Sequence, residues 1–113
     1  MTISGMADVV PPSLEMTAED FEIVRAILRC RIPDMRVVAY GSRVRGRARR
    51  FSDLDLAVVS ERPVDGKTMA LLADDFTRSN LPMRVDLAEW RDFSADFRRV
   101  IADDCVAVQD GKS

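Results

Sequence analysis

The spacing of apolar residues along the chain predicts alternating helices and strands. Between Phe21 and Leu28, apolar residues recur at intervals of three and four, which predicts a helix over about residues 18 to 30. Thr17 is a suitable N-cap for this helix, because its hydroxyl can accept a hydrogen bond from a backbone N–H of the first turn. The next run, residues 36 to 40, is rich in β-branched and apolar side chains and predicts a strand.

The second half of the chain continues this alternation. Its pattern predicts a strand over residues 54 to 59, a helix over residues 67 to 79, a strand over residues 83 to 88, a helix over residues 95 to 103 and a short closing strand over residues 105 to 108. In the last helix we expect Phe97, Val100 and Ile101 to face inward. The alternation predicts an α/β fold, a small mixed β-sheet with helices packed mainly on one face.

The N-terminal residues differ from the rest of the chain. Residues 1 to 16 show little periodicity and include Pro11 and Pro12, so we expect a flexible arm followed by one domain over residues 17 to 110. No apolar run approaches the ~20 residues that a membrane-spanning helix needs, and no signal-peptide pattern is present. We therefore expect a cytoplasmic protein without membrane contact.

Candidate phosphate- and metal-binding residues follow the first predicted strand. Gly41 lets a ligand approach the backbone, and Ser42 is a suitable N-cap for a short helix near Arg43 whose N–H groups favour phosphate. Ten residues, 43 to 52, then precede Asp53 and Asp55. Side chains alternate along a strand, so these two carboxylates point to one side and their apolar neighbours to a core. Taken alone, such a pair is more often a polar strand start or a turn cap.

A third carboxylate and two arginines complete the candidate site. If the strand of Asp86 lies beside the strand of Asp55, the three aspartates form one acidic cluster, whose repulsion a cation such as Mg²⁺ would relieve. Five arginines lie within residues 43 to 50. Arg43 and Arg45 are nearest to the presumed phosphate site, and we expect one of them to neutralise phosphate charge. The other three fit a solvated basic surface equally well.

Composition narrows the chemistry. The chain has 113 residues and no histidine, which excludes histidine-based acid–base catalysis, Ser-His-Asp triads and the common zinc sites. Its net charge of −2 argues against a general nucleic-acid-binding module built on the arginine cluster. Carboxylates, cationic side chains and bound metal ions remain as possible catalytic groups. They suit nucleotidyl transfer, because this reaction depends mainly on positioning and charge stabilisation.

These motifs resemble the signature of the DNA polymerase β-like nucleotidyltransferases, and most of all the minimal nucleotidyltransferases, also called MNT or MntA-like proteins. The family pattern is Gly-Ser, ten residues, Asp-x-Asp and a third Asp on a later strand. Gly41-Ser42, Asp53-Leu54-Asp55 and Asp86 match it within a resemblance that covers about residues 18 to 108. Val44 stands where relatives often have alanine.

The resemblance implies the family's fold, ATP as the donor and two Mg²⁺ ions held by the three aspartates. It assigns Gly41, Ser42, and Arg43 or Arg45 to the phosphates, and makes Asp86 the candidate base for the acceptor hydroxyl or the residue that orients the base. NMP would pass from NTP to an acceptor with release of pyrophosphate. In the MNT family the partner is typically a HEPN-domain toxin, a ribonuclease, which the antitoxin silences by binding and in some members by adenylylating a tyrosine.

Three alternatives remain open at this point. The chain could be a non-catalytic antitoxin that acts by binding alone, a nucleotidyltransferase for small molecules, or an RNA-binding module. The intact aspartates and Gly-Ser favour an active enzyme, and we expect no stable nucleic-acid binding. A hetero-oligomer with the toxin and a homodimer are both compatible with the sequence.

Overall fold

The first helix packs against a four-stranded sheet in a computed structural model that describes residues 9 to 49 and 51 to 111. Helix α1 spans Ala18–Arg31, and the Thr17 side chain accepts a hydrogen bond from the backbone N–H of Asp20, as predicted. The helix ends at Ile32 because Pro33 follows, and a residue that precedes proline avoids the helical conformation.

The sheet is mixed, as the sequence predicts. Its strands are β1 (Arg36–Tyr40), β2 (Leu54–Val59), β3 (Val85–Glu89) and β4 (Val106–Gln109). They lie in the order β3-β2-β1-β4. Strand β1 pairs antiparallel with β2 and β4, whereas β2 and β3 are parallel. A parallel neighbour requires a crossover, which helix α2 (Gly66–Thr77) provides.

The main core lies between one face of the sheet and helices α1 and α2. Strand β2 contributes Leu54, Leu56 and Val58, which are fully buried and belong to the same hydrophobic cluster as residues of both helices. The helix residues of this cluster are Phe21, Val24, Leu28, Leu72 and Phe76. The predicted packing of helices on one face is therefore confirmed for α1 and α2.

Helix α3 (Ala95–Ala102) is the exception and belongs to the opposite face of the sheet. There Val38, Ala57 and Ile101 are buried but are not part of the main cluster. The predicted inward orientation of the α3 side chains is correct for Ile101, which is buried. It is wrong for Val100, which is 60% exposed, and only partly correct for Phe97, which is 40% exposed. A short helix of eight residues can bury only a narrow stripe, so its remaining apolar residues reach solvent.

Part of the predicted N-terminal arm belongs to the folded unit. Leu14 is buried in the main core, and the backbone N–H of Glu15 donates to the carbonyl oxygen of Arg43 at 2.8 Å. The prediction of a flexible arm over residues 1 to 16 is thus wrong for Leu14 and Glu15. Residues 1 to 8 of the predicted arm lie outside the described residues. Within the described ranges, no helix is long and apolar enough to cross a membrane.

Candidate nucleotidyl-transfer site

A row of three polar side chains crosses the sheet at one end of β1 and β2. In the strand register Tyr40 lies opposite Asp55, and Asp55 lies beside Asp86. Residues paired across strands point to the same face, so the row lies on the face opposite α1 and α2. The prediction that β3 lies beside β2 and brings Asp86 to Asp55 is confirmed.

Negative charge accumulates along this row. Burial and then the charges of Asp86 and Asp53 raise the pKa of the Asp55 carboxyl above its ordinary value. Burial and then the charges of Asp55 and Asp86 raise the pKa of the Tyr40 hydroxyl to about 12, so it stays protonated at neutral pH. A bound cation would relieve both effects, because it offsets the carboxylate charge that burial leaves poorly solvated.

Gly41 brings the turn after β1 directly against Asp55. Its φ of 84° and ψ of −152° lie in a region that is essentially restricted to glycine. A Cβ atom at this position would collide with the Asp55 carboxylate. Close approach of backbone and carboxylate therefore requires glycine for two independent reasons.

The turn itself is shorter than predicted. Ser42–Val44 forms a single 3₁₀ turn, and its N-cap is Gly41 rather than the predicted Ser42. The carbonyl oxygen of Ser42 accepts hydrogen bonds from the backbone N–H groups of Arg45 and Arg47, at 3.2 Å each. One turn carries little macrodipole, so any affinity for phosphate must come from local N–H groups.

Asp53 has a partner that the sequence analysis missed. Its Oδ2 lies 3.1 Å from a guanidinium nitrogen of Arg84, the residue before β3, on the face that also carries Asp86. Among residues 9 to 49 and 51 to 111, no three acidic or cysteine side chains already form a metal site. The donor types still suit Mg²⁺, which prefers carboxylate oxygens, because Asp55 and Asp86 lie beside each other on neighbouring strands and both Asp86 and Asp53 act electrostatically on Asp55.

The two candidate arginines differ in their surroundings. Arg43 is 5% exposed, and its guanidinium donates to the backbone carbonyls of Glu15, Arg49 and Ser52. These contacts argue against the predicted phosphate-binding role of its side chain. Arg45 is more accessible and pairs with Asp104 at 3.4 Å.

Aromatic side chains border the acidic row. The ring of Tyr40 meets Phe93 and Phe97 edge-on, with centroid distances of 5.4 and 6.0 Å, and Phe93 also contacts Trp90. The sequence analysis did not include Tyr40 in the site. Its position directly before Gly41, on a strand antiparallel to that of Asp55, was the available signal.

Comparison with known proteins decides the family. The model of the nucleotidyltransferase domain family matches residues 22 to 108. A probable protein adenylyltransferase MntA from Haemophilus influenzae is 44% identical over 97 residues, which are 86% of this chain and 85% of that protein. The chain belongs to the nucleotidyltransferase domain family. Membership confirms the resemblance seen in the sequence and assigns nucleotidyl transfer as the class of reaction.

Solved structures agree with this family. A crystal structure of a toxin-antitoxin with AMP-PNP matches with a TM-score of 0.65 and 25% identity, covering 81% of this chain and 74% of that chain. A structure of a tri-AMPylated Shewanella oneidensis HEPN toxin in complex with MNT antitoxin matches with a TM-score of 0.62, covering 84% and 73% of the two chains. At 23% identity, the second likeness establishes the fold alone.

Proposed function

We propose that this chain is a Mg²⁺-dependent protein adenylyltransferase that acts as the antitoxin of a HEPN-domain toxin. It would transfer AMP from ATP to a hydroxyl of the toxin. The observation that carries the proposal is the placement of Asp55 directly against Gly41 with Asp86 beside it on the neighbouring strand. The chain's similarity to a probable protein adenylyltransferase supports a protein acceptor. We further propose that the reaction takes place in the cytoplasm, where ATP would serve as the donor.

Each residue of the site has a role in this reaction. The turn at Gly41 and Ser42 would receive the β- and γ-phosphates, with Arg45 as the nearby cation. Mg²⁺ would be held by Asp53, Asp55 and Asp86, and the complete site would contain two ions. Bound there, the metal would stabilise charge on both the attacking and the leaving oxygen.

The bond changes follow from the acceptor chemistry. The acceptor oxygen attacks the α-phosphorus of ATP, the bond between the α-phosphorus and the bridging oxygen breaks, and pyrophosphate leaves. The acceptor hydroxyl loses its proton, for which Asp86 is the candidate base because it is exposed at the end of the row. Before nucleotide binds, Arg84 offsets the charge of Asp53.

Label transfer tests this proposal. The purified chain is incubated with Mg²⁺ and the HEPN partner, in parallel with ATP labelled at the α- or the γ-phosphate. We expect the partner to acquire the α-label only, and the Asp53→Asn/Asp55→Asn variant to transfer none. Asp96→Asn is the control, because this exposed carboxylate pairs with Arg99 on α3. Transfer of the γ-label, or equal labelling by the double variant, would contradict the proposal.

A further inference from the structure

The segment that joins the two halves of the site has almost no regular structure of its own. After the turn of Ser42–Val44, no helix or strand occurs among the described residues until Leu54. The proposed phosphate turn precedes this loop and Asp53 follows it. Adenylyl transfer needs the phosphates and the carboxylates at fixed separation, so something must hold the two ends of the loop together.

Arg43 lies in the turn and reaches across to the far end of the loop. Its Nε and one terminal nitrogen donate to the carbonyl oxygen of Ser52, at 3.1 and 3.0 Å, and the second of these nitrogens also donates to Arg49 at 3.3 Å. Ser52 directly precedes Asp53. A guanidinium presents several donors in a rigid planar arrangement, which suits it to fixing several carbonyl groups at once.

The N-terminal segment completes this arrangement. The other terminal nitrogen of Arg43 donates to the carbonyl oxygen of Glu15 at 2.8 Å, and the Glu15 N–H donates back to the carbonyl oxygen of Arg43 at 2.8 Å. The Glu15 carboxylate lies 3.4 Å from the backbone nitrogen of Ala48, further along the loop. Leu14 is buried in the main core, which anchors the segment.

We propose that Arg43 is a positioning residue, which fixes the phosphate-binding turn relative to Asp53 by tying the loop to Ser52 and to the segment at Glu15. The inference deepens the proposed function, on which it rests. Arg43 need not touch the nucleotide. Its substitution would leave every presumed ligand in the chain but loosen the distance between the Gly41 turn and the aspartates.

The test combines amide hydrogen exchange with rates of transfer, below the melting temperature of every variant. We expect Arg43→Met to speed exchange across residues 42 to 53 at least tenfold, while α1 and β4 keep wild-type rates. Transfer of AMP to the HEPN partner should fall about a hundredfold, as expected for misplacement by about 1 Å. Arg43→Lys should recover only part of the loss, because an ammonium group can donate to these carbonyls but lacks the rigid planar arrangement that holds all three.

Gln109→Met is the matched control. Gln109 is also a buried polar residue that holds two backbone carbonyls, those of Ile32 and Met35 at 2.8 Å, but it lies at the other end of β1. Its loss should lower the melting temperature and leave transfer within about twofold of wild type. Equal losses of transfer in Gln109→Met and Arg43→Met would overturn the inference, because general destabilisation would then explain both.

Two further outcomes are decisive. If Arg43→Met does not fold, Arg43→Lys replaces it, and faster loop exchange with wild-type transfer would contradict the inference. If the wild-type chain transfers nothing, the proposed function fails, and binding of Mg²⁺·AMP-PNP replaces transfer as the readout. Affinity that falls at least tenfold in Arg43→Lys would then support the positioning role, and unchanged affinity would refute it.

Discussion

At the scale of single residues, the contact between Gly41 and Asp55 places the tightest constraint on the site. We expect Gly41→Ala to abolish measurable transfer, because the new Cβ collides with the Asp55 carboxylate. Gly46 is the control, since its φ of 71° is also positive but nothing lies within 4 Å of a Cβ there. Gly46→Ala should lose about 1–2 kcal/mol of stability in urea unfolding through its positive φ alone, and Gly41→Ala should lose more because of the added collision. Only Gly41→Ala should lose transfer, and an active Gly41→Ala enzyme would contradict the close approach.

The raised pKa of Asp55 predicts how stability depends on pH. The folded chain holds the Asp55 proton more tightly than the unfolded chain, so ionised Asp55 costs stability above its ordinary pKa and the cost disappears at lower pH. Asp86→Asn removes one cause of the shift. We expect it to stabilise the metal-free chain by up to about 1 kcal/mol at pH 7 in urea unfolding with EDTA.

This stabilisation should shrink as the pH falls towards ~4, where aspartates become protonated in the unfolded chain as well. Asp96→Asn, on the exposed face of α3, should show no such gain at pH 7. A gain of equal size at both pH values would mean that charge repulsion with Asp55 is not its cause.

The ion pair between Arg84 and Asp53 predicts a change in metal dependence. In the proposed site Arg84 and Mg²⁺ would compete for the Asp53 carboxylate, so Arg84→Gln should lower the Mg²⁺ concentration for half-maximal transfer about two- to fivefold, the range of a weak exposed pair. Arg78→Gln breaks a similar exposed pair with Asp74 on α2 and should leave the Mg²⁺ dependence unchanged. An unchanged or raised Mg²⁺ requirement in Arg84→Gln would contradict the competition.

At the scale of elements, α3 supports the acidic row through its aromatic contacts. Phe97 meets the rings of both Tyr40 and Phe93 edge-on. Each such contact contributes about 0.5–1.5 kcal/mol, so Phe97→Ala should destabilise the chain by about 1–3 kcal/mol in urea unfolding. Val100→Ala, which removes an exposed side chain from the same helix, should cost less than about 0.5 kcal/mol. Equal costs would show that the ring contacts contribute little.

The elements were also the most predictable level of the structure. The ranges 36 to 40 and 54 to 59 coincide with β1 and β2, because both strands are buried apolar runs with sharp polar boundaries. The helix predicted over residues 67 to 79 is Gly66–Thr77 in the structure. Trp90–Asp92 forms a 3₁₀ turn that was not predicted, since one turn leaves too short a pattern for periodicity to register.

At the scale of the whole molecule, long-range contacts limited the predictions. Adjacency of Asp55 and Asp86 could be anticipated, because a strand-helix-strand unit usually places its strands side by side. Burial of Arg43 could not be anticipated, because it depends on contact with Glu15, which the sequence analysis placed in a flexible arm. An arginine in a basic run has the same local pattern whether it faces a ligand or a carbonyl.

We propose that the chain neutralises its partner by catalysis at Asp55. The most direct measurement is the growth of cells that express the HEPN partner with either the intact chain or the Asp55→Asn variant. We expect the intact chain to restore growth, and the variant to fail although it still co-purifies with the partner. Equal restoration of growth by Asp55→Asn would contradict the claim and leave an antitoxin that acts by binding alone.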